Sequence, residues 1–118
     1  MNVELVKIQC PVCARRAARL DREDDGRLHI HYTTRDMTAA PLRAGRFATR
    51  DHDVTLHVDP RHLARAFAER GHLMDMVCRR CGADVPLEVD GPAVLQALTQ
   101  AERTMSTVRV RAKRRALG

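Results

Sequence analysis

Tryptophan is absent from the 118 residues, tyrosine occurs once, at Tyr32, and phenylalanine twice, at Phe47 and Phe67. A core so poor in rings is modest, because Phe, Tyr and Trp carry the most buried area per side chain. The same scarcity argues against the aromatic platforms on which RNA-recognition sheets and single-strand binders stack bases. No long apolar run exists: the longest stretch free of charged residues is 91–101, far below the ~20 residues a membrane-crossing helix needs. Glu4 and Lys7 interrupt the start, and no apolar core of a secretory signal follows them. These absences predict a soluble, cytoplasmic protein without a membrane partner. Neither a glycine-rich phosphate loop nor a serine in a nucleophile context is present, so nucleotide-binding and serine-hydrolase readings find no support and no small-molecule substrate is evident.

What is present begins with four cysteines in two close pairs, Cys10-Pro11-Val12-Cys13 and Cys78-Arg79-Arg80-Cys81. In a chain with no signal toward an oxidising compartment, paired CxxC reads as metal binding rather than as disulfides. Each CxxC turn points two thiolates at one ion, and four thiolates complete a tetrahedral zinc shell with no position left for water or substrate. The predicted cofactor is therefore a structural zinc ion held by Cys10, Cys13, Cys78 and Cys81. Redox use is disfavoured because neither pair sits at the helix N-terminus of a thioredoxin-like pattern. A rubredoxin-like iron would use the same ligands, but nothing else in the chain points to electron transfer.

The two knuckles, with Gly82 after the second, resemble the zinc-ribbon class, in which each of two hairpins offers one CxxC. The resemblance implies small β-hairpins clamped by zinc. It departs from a minimal ribbon in the 64 residues between Cys13 and Cys78, which require a hairpin, a strand and a helix inserted between the knuckles.

Patterning fills in the rest. Residues 3–8 alternate into the first knuckle, and 18–20 and 28–32 flank Asp25-Gly26 as a hairpin. In that hairpin His29 and His31 share one strand face, either as a second metal site or as an exposed polar face. The pattern lapses over 36–53 and returns at 54–58, where His57 is expected to face solvent. Asp59-Pro60 opens a helix that Gly71 stops. Residues 83–89 read as a return strand that Pro86 confines to an edge. Asp90-Gly91-Pro92 opens a second helix whose buried stripe runs through Val94, Leu95, Leu98, Ala101 and Met105. The expected fold is α+β, a zinc-ribbon-like domain over 1–107 followed by a basic strand or tail over 108–118.

Charge is distributed unevenly. Residues 103–118 hold six basic groups and no acid, so the whole net charge of +6 lies there and the first 102 residues sum to zero. Arg15-Arg16 follows the first knuckle and Arg79-Arg80 lies inside the second, so one shared ion gathers four guanidiniums. They either offset the −2 charge of a four-thiolate zinc or form a phosphate patch, for which planar guanidinium forks are suited. Arg109, Arg111, Lys113, Arg114 and Arg115 add a segment of the kind that neutralises backbone phosphates without reading bases, or else a solubilising end. The expected partner is nucleic acid or a nucleoprotein complex, bound without catalysis. Two alternatives compete. Leu63, Phe67, Leu95 and Leu98 on the helices, with the terminal strand, suit a protein-binding adaptor or assembly subunit. Asp51-His52 between two CxxC pairs is similar to HNH-type nucleases, but no asparagine lies between the pairs and no paired glycines follow.

Overall fold

The computed structural model describes residues 2–39, 46–50, 53–81 and 86–114. The described residues form ten strands and two helices in the order β1 (Val3–Gln9), β2 (Arg16–Arg22), β3 (Leu28–Thr33), β4 (Met37–Ala39), β5 (Arg46–Arg50), β6 (Asp53–Val58), α1 (Pro60–Arg70), β7 (His72–Cys78), β8 (Pro86–Asp90), α2 (Gly91–Thr104), β9 (Val108–Arg111) and β10 (Lys113–Arg114). Six strands pair in the order β5-β6-β3-β2-β1-β9 and four in the order β10-β8-β7-β4. Every pairing is antiparallel except that of β9 on β1. The fold is α+β, as the sequence pattern predicts.

Local chemistry explains the element ends. Gly26 turns the β2–β3 hairpin at φ +88°, a region open to glycine, and the Arg27 N–H donates to Asp25 Oδ1 at 3.0 Å. Asp59 caps α1 by accepting from the Arg61 N–H at 2.8 Å, and Gly71 ends it at φ +73°. Asp90 caps α2 through the Ala93 N–H. Gly91 is required at the start of α2, because a Cβ there would lie 1.1 Å from Cε1 of Phe67 on α1.

The core follows strand alternation. Val6, Leu20, Ile30 and Leu56 stand in register across β1, β2, β3 and β6 and are buried. Extra residues in the β1–β2 pairing, Leu5 and Ala17, turn consecutive residues inward, so Leu5-Val6 and Ala17-Ala18 are all buried. Helix α2 lies across β1 and β9 and also touches β7 and β8, placing Val94, Ala97, Leu98 and Ala101 in the core between the sheets. Helix α1 packs on β7 through Leu63.

Five expectations change. The stretch 36–53 carries β4 and β5, short strands whose alternation is weak because pairing with β7 and β6 holds them. Pro86 does not put β8 on an edge: β8 lies between β10 and β7, and Pro86 occupies its first residue, beyond the two positions that pair with β10. Leu95 and Met105 leave the apolar stripe: Leu95, beside Val94, turns outward and is 37% exposed, and Met105 is the left-handed C-cap of α2, φ +56°, and is 66% exposed. His29 is only 3% exposed, because the neighbouring strands β2 and β6 bring side chains against it. His57 does not face open solvent either, since its Nδ1 lies 3.2 Å from His29 Nε2. Arg109 and Arg111 enter one sheet on β9 beside β1, and Lys113 and Arg114 the other on β10 beside β8, with the Ala112 N–H donating to the Gln9 carbonyl between them at 3.0 Å.

Candidate metal centre

Two hairpins deliver the cysteines. The first knuckle joins β1 to β2: the Cys10 N–H donates to the Arg15 carbonyl at 2.9 Å and the Ala14 N–H to the Cys10 carbonyl at 3.0 Å, closing a tight turn around Cys13. The second follows β7, whose last residue is Cys78. It is braced by β4, since Met37 pairs with Cys78 and the Arg79 N–H donates to the Asp36 carbonyl at 2.8 Å.

All four Sγ atoms lie within 4.8 Å of one another, with Cys10 and Cys78 buried and Cys13 and Cys81 half-buried. The contacts cross between knuckles, 3.3 Å from Cys10 to Cys81 and 3.8 Å from Cys13 to Cys78, with 3.4 Å from Cys78 to Cys81. A tetrahedral ion with bonds of ~2.3 Å to sulfur needs edges of ~3.8 Å, so the donor set fits such an ion. No pair is bonded as a disulfide. The thiols are also poised unevenly. The backbone at Arg15 lowers the Cys13 pKa to about 7, whereas the neighbouring Cys10 sulfur and then burial push that of Cys81 up, and burial raises that of Cys78. Thiols this close resist shared ionisation without a cation among them, and a metal ion supplies one.

The two knuckles meet, as their spacing predicts, and bring Arg15, Arg16, Arg79 and Arg80 to one end of the molecule. Two of the four are already paired: Arg16 with Glu4 at 3.4 Å and Arg80 with Asp36 at 2.5 Å. The Arg80 hydrogen bond is the main reason the Asp36 carboxyl stays below its ordinary range, and Arg15 adds to the effect. Arg15 and Arg79 are exposed and have no carboxylate within 4.0 Å among the described residues.

Parallel pairing carries the basic C-terminal residues toward this end. Arg109 lies opposite Lys7, which lies opposite Arg19, and Arg111 lies opposite Gln9, the residue before Cys10. Lys7, Arg109, Arg111 and Arg114 have no carboxylate partner among the described residues, whereas Lys113 pairs with Asp90 at 3.2 Å and Arg19 with Asp21 at 3.2 Å. Lys7 was not singled out by the sequence; alternation put it opposite Val6 and Ile8, but only the β1–β9 pairing sets it beside Arg109. Arg115, Gly82 and the Asp51-His52 pair lie outside the described residues.

The residues named for adaptor docking are largely spent on the protein's own core: Leu63 and Leu98 are buried and Phe67 packs over Gly91, leaving Leu95 at the surface. No helix among the described residues is long and apolar enough to cross a membrane. No family model, curated protein or solved structure matches the chain. Fold and site together define the class: a small α+β domain with a four-cysteine cluster able to hold a metal ion.

Backbone strain marks the first knuckle. Ala14, just past Cys13, holds φ +60°, a conformation that costs a residue with a Cβ about 1 kcal/mol. Ala14→Gly is expected to stabilise the protein by roughly 0.5–1 kcal/mol, read as a higher denaturation midpoint.

Proposed function

We propose that the four cysteines hold a structural zinc ion and that the protein binds nucleic acid or a nucleoprotein complex through phosphate contacts, without catalysis. Zinc is the ion that four thiolates in tetrahedral array suit best, and a closed shell leaves it no substrate position. The observation that carries the binding reading is the run of basic side chains that have no carboxylate partner among the described residues, from Arg109 and Lys7, through Arg111, to Arg15 and Arg79 beside the cluster. Such a surface neutralises phosphates and releases counterions, so affinity falls steeply with salt and is nearly indifferent to sequence.

The test is a salt titration of binding to duplex DNA and RNA. Replacing Lys7, Arg109 and Arg111 together with alanine is expected to weaken binding to every sequence and flatten the slope of log affinity against log salt by about 0.9 per lost contact on duplex DNA. Arg109 and Arg111 are exposed, so the variant retains its fold. Unchanged affinity and slope would remove this surface from the function.

A further inference from the structure

We propose a second metal site, for a divalent transition ion of the zinc or cobalt type, formed by His29 Nε2, His57 Nδ1 and the Glu23 carboxylate. It is separate from the cysteine cluster and does not depend on the reading of that cluster.

Three strands assemble it. Asp21 on β2, His29 on β3 and His57 on β6 stand in register across the sheet, with Glu23 just past the end of β2. His29 Nε2 lies 3.2 Å from His57 Nδ1 and 3.4 Å from Glu23 Oε1. With metal–nitrogen bonds of ~2.0–2.1 Å, a 3.2 Å nitrogen–nitrogen edge subtends about 100° at the ion, close to tetrahedral. The remaining edge, Glu23 to His57, is open as the side chains stand, so binding requires Glu23, whose side chain is 34% exposed, to rotate toward His57.

Hydrogen bonding alone serves this arrangement poorly. A single Nε2 cannot accept from His57 and donate to Glu23 at once, whereas a cation gives all three lone pairs one partner. Burial holds His29 toward its neutral form, the form that binds metal. The row alongside has unmet polar atoms: Asp21, 3% exposed, has an Oδ1 with no hydrogen-bond partner, and His31 Nε2 is buried without one although it lies 3.2 Å from Asp21 Oδ2. Asp21 and His31 flank the ion rather than bind it, because Arg19 already places its cation 3.2 Å from Asp21 Oδ2. His57 also lines a groove of about 590 Å³ shared with His62, whose Nδ1 is buried and unpartnered. Three protein ligands leave a coordination position for water or a small ligand, the arrangement of reactive rather than structural sites.

Equilibrium dialysis of the full chain against zinc tests this, with NMR of the imidazole signals. The expected uptake is two ions per chain, the second shifting His29 and His57. His57→Asn is expected to lose the second ion, and Glu23→Gln, at a partly exposed side chain, to weaken it at least tenfold while the fold is kept. Uptake that stops at one ion held by sulfur, or a second ion that survives both substitutions, overturns the proposal. Loss of the sulfur-bound ion alone overturns the structural-zinc reading and leaves the histidine-bound ion separately countable.

Discussion

Cys13→Ala or Cys78→Ala, and equally removal of metal by a chelator, is expected to unfold or aggregate the protein. The two knuckles lie 64 residues apart in the chain and belong to different sheets, β1–β2 in one and β7–β8 in the other. A metal that joins them ties the two sheets at their shared end. Structural zinc contributes apparent binding free energies of about 10–16 kcal/mol, against a total stability of about 5–15 kcal/mol for an ordinary domain. With few aromatics, the core has little reserve to replace that contribution. The measurement is far-UV circular dichroism and thermal melting with and without chelator, with recovery on adding zinc. A Cys13→Ala protein that melts at the wild-type temperature would show that the cluster is not structural.

Ending the chain after Thr107 is expected to lower the melting temperature by ~10 °C or more, or to abolish cooperative unfolding. A basic segment that only trails in solvent would be removable without effect. Here β9 closes the six-stranded sheet against β1, β10 extends the other sheet along β8, and Val110 and Ala112 are buried between them. Burying a valine is worth about 1.5–3 kcal/mol, and loss of β9 also strips α2 of one of the strands it packs on. The truncation also exposes the β1 edge, an invitation to association through unpaired backbone. Size-exclusion chromatography and a thermal melt read both effects; an unchanged melt would show that residues 108–118 are an appendage.

Much of this protein is legible locally. CxxC spacing identifies the cysteines that cluster because two thiols on one tight turn point together whatever the rest of the chain does. Asp25-Gly26, Asp59-Pro60, Gly71 and Asp90 mark turns and caps because their chemistry acts within a few residues. The stripe of α2 is legible at Val94, Leu98 and Ala101 but not at Leu95, which faces outward, or at Met105, whose left-handed cap position takes it off the helical face. The histidine cluster was half visible: His29 and His31 share a face by alternation, yet alternation does not say whether a face is covered.

By itself, then, the sequence determined the four clustered cysteines, the first hairpin, the two capped helices and the confinement of net charge to residues 103–118, since each rests on near neighbours or on composition. Only the tertiary structure decided that β9 runs parallel beside β1, that Lys7 stands next to Arg109, that His57 meets His29, and that carboxylates neutralise Arg16 and Arg80 but, among the described residues, leave Arg15 and Arg79 without carboxylate partners. These are pairings between residues tens of positions apart. The energy that selects them comes from burying apolar faces and completing backbone hydrogen bonds across whole sheets, which no local pattern encodes.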